Sequence, residues 1–385
     1  ADCKLDRYTQ LGDMNPAFWP NIRNNGVPFI DSLQMFGTIE QNLDLTPAIS
    51  LTSVTGIYKL RQDNLIRGSG SSNPTIAPDF RFNNSQFTQE LRLASDFDSS
   101  PLNFTVGAFY QSATFRSRNN LRGNTAFGLP ALLQSVRHQI RTESTSVFGQ
   151  LLWKLTDQVE LAGGARYTNE VRRHREWNNL AGGAEVRLLV PKIEANNVSP
   201  EFSLTYTPTD DLTLFGSYRQ GFKSGSFNTI VFIDANTRAD FGEEKAKGGE
   251  IGVKARMLDR SLTFNLAAYR YIYSDLQVGA NEVSSTGGII LRTINAASAK
   301  VQGVELDASF RPREVEGLTL RGAINYNHAR YKSFPNAPCG NGQTIAEGCN
   351  QILNPATGRF TSQDLKGRAL VRAPNWTANF GIDYE

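Results

Sequence analysis

The chain has 385 residues, 39% of them hydrophobic and 10% aromatic, with 33 glycines and a formal charge of +3 from 40 basic and 37 acidic residues. That balance is too polar for a helical membrane protein and too rich in Phe and Tyr for disorder; its near-neutral, dispersed charge leaves no nucleic-acid footprint. No run approaches the roughly 18 apolar residues that a membrane helix needs, and the start, ADCKLDRYTQ, has no basic segment followed by an apolar one, so no signal peptide is legible.

Along the chain, apolar and polar residues alternate with the period of a strand. Thirteen strands are expected, at 33–44, 49–63, 84–95, 102–116, 141–155, 159–176, 197–208, 212–226, 245–258, 260–279, 289–312, 318–333 and 374–385. In the fifth, Val147, Leu151, Trp153 and Leu155 share one face, with Gln150 and Lys154 opposite. In the seventh, Phe202, Leu204 and Tyr206 oppose Ser203 and Thr205; in the twelfth, Leu318, Leu320, Ile324 and Tyr326 oppose Thr319, Arg321, Asn325 and Asn327.

The connections fall into two sets. Short links (44–48, 95–101, 155–158, 208–211, 258–260 and 312–317) alternate strictly with long ones (64–83, 117–140, 177–196, 227–244, 280–288 and 334–373). Strict alternation puts every tight turn at one end of an antiparallel meander and every long loop at the other. Loops beyond about 12–15 residues are uncommon in compact domains. One apolar face, one charged face and this asymmetry describe an all-β antiparallel transmembrane β-barrel. Lipid offers backbone amides no partners, so the sheet turns its apolar face to lipid and its polar face to a lumen. Aromatics near strand ends, among them Trp153, Tyr167, Tyr206, Tyr218, Tyr326 and Tyr384, suit interfacial girdles.

FTQELRLAS (87–95), FGQLLWKLTDQVELAGGARYT (148–168), YTPTDDLTLFGSYRQGFKSGSFN (206–228), FGEEKAKGGEIGVKARMLDRSLTFNLAAYRYIYSDLQV (241–278), NAASAKVQGVELDASFRPREVEGLTLRGAINYNHARY (295–331) and RAPNWTANFGIDY (373–384) follow one another in an ordered series. Taken together, this series resembles the TonB-dependent outer-membrane receptors of the siderophore type. The resemblance implies a bacterial outer-membrane location and a 22-stranded barrel plugged by an N-terminal globular domain. It also implies energy-coupled uptake of a scarce ligand, a ferric siderophore foremost, through TonB. On it, residues 1–385 form a single partial barrel domain of about thirteen strands, without the plug and incomplete at both ends. Lipid, the plug, TonB and a small-molecule ligand are the partners implied. A passive porin and a soluble β-rich binding domain are the rival readings.

GSYRQGFKSGS (216–226) has the vocabulary of a phosphate loop, but Phe222 separates Gly221 from Lys223 and no helix pattern follows. It reads instead as a strand leaving the bilayer. No nucleophile-elbow context is present, so no enzyme, catalytic residue or cofactor is expected. By parity Glu90, Arg92, Arg166, Arg219, Glu250, Arg256, Glu305 and Arg321 face the lumen, where they would meet a plug or line a ligand path. Ligand capture is expected from the long loops, with Phe127, Trp177, Phe232, Phe241 and Phe334 as candidates. The histidines, His138, His174 and His328, show no clustering in sequence, and no metal site is expected. Cys339 and Cys349 bracket CGNGQTIAEGC, which suits a local disulfide in an oxidising compartment; Cys3 has no visible partner.

Overall fold

The computed structural model describes residues 13–68, 74–229, 238–283, 289–340, 342–355 and 358–385. Thirteen long strands form an antiparallel meander in chain order: β1 (Phe29–Thr46), β2 (Ile49–Leu65), β3 (Ile76–Ser95), β4 (Leu102–Gly123), β5 (Gln134–Thr156), β6 (Val159–Asn178), β7 (Lys192–Thr209), β8 (Leu212–Lys223), β9 (Glu244–Met257), β10 (Leu262–Val283), β11 (Ile289–Phe310), β12 (Leu318–Ser333) and β13 (Trp376–Tyr384). A three-residue strand, Ala184–Val186, joins the same sheet beside β6. The sheet does not close: among the described residues β1 and β13 each have a single partner strand. No described helix is long and apolar enough to cross a membrane, which says nothing about strands.

Register explains the alternation. One row of cross-strand neighbours runs Leu102, Trp153, Leu161, Leu204, Gly216, Ile251, Ala268, Val304, Tyr326 and Trp376, from β4 to β13, without a charged residue. Seven of its ten residues are exposed, among them Ile251 at 68% and Trp376 at 66%. So continuous an apolar surface needs an apolar surrounding. The row starts at the turn end of β4 and reaches β12 at its middle, the stagger of strands tilted as in a barrel wall.

Short and long links alternate as expected except between β10 and β11, which leave only 284–288, no longer than the short links 96–101 and 311–317. Many strands are longer than the sequence pattern indicated. β4 and β5 run on to Gly123 and back from Gln134, so only 124–133 remain of the expected loop 117–140. Likewise β2 and β3 leave 66–75 between them. The cause is physical. On β5 the outward face is apolar from Leu155 to Val147 but carries Glu143, Arg141 and Arg137 further up. Nine residues of apolar face match the 9–11 that cross a bilayer. Beyond the bilayer hydrogen bonding continues while the apolar period stops.

The loop end has cores of its own. Met14 and Trp19 pack with Leu65 and Ala77. Nearby, Arg23 is ion-paired to Asp63 and Asp79, donates to the Asn64 carbonyl at 2.8 Å, and shares Asp79 with Arg122 at 3.2 Å. A β-bulge at Tyr273–Gln277, with Asp275 at φ 54°, places Gln277 so that its amide donates to the carbonyls of Ser224 and Gly242. Asn295 holds Gly242 and Glu243 in the same way. These contacts dock Ser224, Gly242 and Glu243 onto the wall.

Candidate functional site

The polar face of the sheet carries the first group of candidates. Arg92, Gly107, Phe148, Arg166 and Ser199 form one cross-strand row, adjacent to the Glu90–Phe109–Ser146 row. The Arg166 guanidinium sits 5.1 Å from the Phe109 ring and 5.4 Å from the Phe148 ring, an arrangement in which the ring faces attract the cation. Arg92 lies 3.7 Å from Glu90, Arg219 lies 3.4 Å from Glu250, and Gln150 donates to Glu201 at 3.2 Å. A cleft of about 370 Å³ opens among Arg92, Phe148, Gln150, Arg166, Glu201 and Arg219. Nearer the turn end, Arg321 pairs with Asp383 at 3.3 Å, Glu305 accepts from Asn325 at 3.3 Å, and Arg256 stands opposite Thr263. All eight residues expected on one face therefore share it by register. Glu201, Phe109 and Phe148 belong with them, and the same parity count would have found them.

The loop residues are more scattered. Phe127 ends a one-turn 3-10 segment, Thr125–Phe127, and is 54% exposed. Phe241 pairs with Ser226 across a two-residue ladder and borders a cleft of about 360 Å³ with Arg172, Glu194 and Arg238. Trp177 is not in a loop: it lies in β6 opposite Arg137, on the outward face that Tyr167 also shares. Guanidiniums of Arg137 and Arg175 cover its ring at 5.4 and 4.9 Å. That position turns it away from the polar face. Phe334 is 4% exposed, packed with Tyr331, Ala297 and Ala337, so it holds its loop together instead of meeting a ligand. Phe232 and Cys3 lie outside the described residues.

Among the described residues, the link between β12 and β13 is the most built. A disulfide joins Cys339 to Cys349, and two short ladders, Ala337–Pro338 with Ser362–Gln363 and Leu353–Asn354 with Arg359–Phe360, pin the rest. A cleft of about 1200 Å³ lies within it, lined by Ile294, the disulfide, Ile352 and Phe360.

Sequence spacing gave no sign of one cluster. His138 on β5 stands opposite Glu176 on β6, and His174 is two residues before Glu176, on the same face. His138 Nδ1 and His174 Nε2 are 3.1 Å apart, and Glu176 Oε2 is 3.5 Å from His138 Nδ1. Exposures of 1%, 2% and 0% make this one of the driest places in the molecule. It lies several residues beyond Tyr167, above the apolar band. Burial pushes the His138 imidazolium down to about 3, helped by His174, and burial pushes His174 down to about 4. Both rings are therefore neutral near pH 7, each with one lone-pair nitrogen. The expectation that the histidines do not cluster is corrected for this pair. A register count would have shown it: starting from Lys154 opposite Glu160, sixteen residues along each strand lead to His138 and Glu176.

Comparison with known proteins supplies the family. The chain matches the family described as "TonB dependent receptor-like, beta-barrel" over residues 5–385. It is 25% identical over 229 residues to the pesticin receptor of Yersinia enterocolitica, covering 59% of this chain and 31% of that protein. It is 26% identical over 183 residues to the ferric-pyoverdine 358 receptor of Pseudomonas putida, covering 47% of this chain and 21% of that one. The chain thus spans about a third or less of these relatives. Among solved structures, the ferric yersiniabactin uptake receptor of Yersinia pestis superposes with a TM-score of 0.69 at 17% identity, over 92% of this chain and 47% of that one. The siderophore receptor PiuA of Acinetobacter baumannii gives 0.67 at 18% identity, over 93% and 53%. At such identities the superpositions show the fold. An apolar girdle row, a polar wall, loops gathered at one end and a family match along nearly the whole length agree: the chain belongs to the TonB-dependent receptor-like β-barrel family of the bacterial outer membrane, whose members are transporters and not enzymes.

Proposed function

We propose that the chain forms barrel wall and extracellular loops of a receptor that takes up a ferric siderophore with energy delivered through TonB. The observation that carries the reading is the pairing of two features on one sheet. A charged, aromatic-bearing wall around Arg92, Arg166, Arg219, Glu201 and Glu250 stands below a loop end rich in clefts. The names of similar proteins, a ferric-pyoverdine receptor and a ferric yersiniabactin uptake receptor, support this ligand class. On this reading ligand is met first by the exposed loops, including Phe127, Phe241 and the disulfide-held loop. The inner wall then hydrogen-bonds a plug domain and lines the path opened when the plug moves. The ferric chelate is cargo, and no resident cofactor is needed.

The test is uptake of radiolabelled ferric siderophores by cells lacking the gene, with and without a functional TonB. Loss of uptake of one chelate in the deletion strain, restored by the gene only when TonB is functional, is expected. Restored uptake that ignores TonB would make the protein a passive porin instead. Unchanged uptake of every iron chelate would remove the siderophore assignment.

A further inference from the structure

The dry cluster on β5 and β6 has the form of a ligand set. Its three donor atoms lie within 4.8 Å of one another, with the closest pair at 3.1 Å and the carboxylate edge at 3.5 Å. A tetrahedral ion with bonds of about 2.0–2.1 Å holds its ligand atoms roughly 3.3–3.4 Å apart, so the two edges bracket that value. The carboxylate oxygen and the second imidazole thus both approach His138 Nδ1. The distal ring nitrogens, His138 Nε2 and His174 Nδ1, are buried without hydrogen-bond partners among the described residues. In the next strand Ser117 stands in register with His138; it too is buried, and its Oγ lacks a hydrogen-bond partner there.

We infer that His138, His174 and Glu176 bind one borderline divalent transition-metal cation of the Zn²⁺ class. Two neutral imidazoles and a carboxylate suit that class, whereas hard cations such as Mg²⁺ prefer oxygen-only sets. Ser117 or a water supplies the fourth position. The metal ties β5 to β6 where both stand clear of the bilayer. The His174 ring also packs 4.9 Å from Phe227, which pairs with Asp240 in a two-residue ladder, so fixing the imidazole fixes that contact. The site is independent of which chelate the receptor imports.

The experiment uses the receptor purified from outer membranes in detergent, stripped with chelator and dialysed. Zn²⁺ alone is titrated by calorimetry, and Co²⁺ alone is followed by electronic absorption. One ion per chain is expected, with the intense visible bands of four-coordinate Co²⁺. His138→Gln, His174→Gln and Glu176→Gln should each weaken Zn²⁺ binding by more than the roughly 10–100-fold that loss of an outer-shell partner costs. His328→Gln should leave binding unchanged. Hydrogen exchange on the wild-type protein gives a readout that needs no variant: Zn²⁺ should slow exchange across 134–142 and 170–178. Absence of Zn²⁺ binding by the stripped wild type, binding retained in the three variants, or only the faint bands of six-coordinate Co²⁺ would each overturn the site.

Discussion

At the scale of single residues, the polar wall depends on glycine as much as on charge. A Cβ on Gly107 would run into the Phe148 ring and the Leu91 carbonyl, because the ring lies across the glycine of the neighbouring strand. Gly107→Val should therefore destabilise by about 1–3 kcal/mol, the usual cost of overpacking. Gly221, with nothing within 4 Å of an added Cβ, should accept Ala within about 0.5 kcal/mol. Urea unfolding in lipid vesicles measures both. Arg219 separates stability from transport. Its side chain is 54% exposed and that of its partner Glu250 30%, so Arg219→Ala should change stability by less than about 1 kcal/mol. Uptake should nonetheless fall severalfold, because the same side chain lines the wall cleft. Unaltered uptake would remove Arg219 from the path.

Among the elements, the strands and the disulfide loop behave differently. Strand parity read from sequence placed Glu90, Arg92, Arg166, Arg219, Glu250, Arg256, Glu305 and Arg321 on one face, since a period of two survives any error in strand ends. It misjudged those ends at 117–140 because the outer face turns polar at the bilayer boundary while the ladder continues to Gly123 and Gln134. Trp177 was misread as a loop residue for that reason. The loop candidates were harder still, since Phe334 and Phe127 look alike in sequence and differ only in packing. Replacing Cys339 and Cys349 together by Ser frees a loop of ten-residue separation. Chain-entropy reasoning bounds the loss at roughly 2–3 kcal/mol. It should appear as faster proteolysis within 339–349 and weaker ligand binding, with unfolding of the barrel wall unchanged. A matched drop in wall stability would show that the loop is not a separate cooperative unit.

For the whole molecule, the question is which face meets lipid, and a charge placed on each face answers it. Ile251→Arg puts a cation in the middle of the apolar row and should cost about 2–4 kcal/mol in lipid vesicles. Ser203→Arg, one row away on the polar face, should cost less than about 1 kcal/mol. Equal costs would contradict a membrane-spanning wall. Fold class, the order of thirteen strands, the two-sided wall and the gathering of long loops were legible in the residues alone, because alternation and turn chemistry are local and survive without a partner strand in view. The folded sheet set what meets across strands. It brought His138 to His174 and Glu176, laid Phe148 over Gly107, buried Phe334 and turned Trp177 outward. Those outcomes depend on register, which accumulates residue by residue from each turn and places side chains far apart in sequence within a few ångströms.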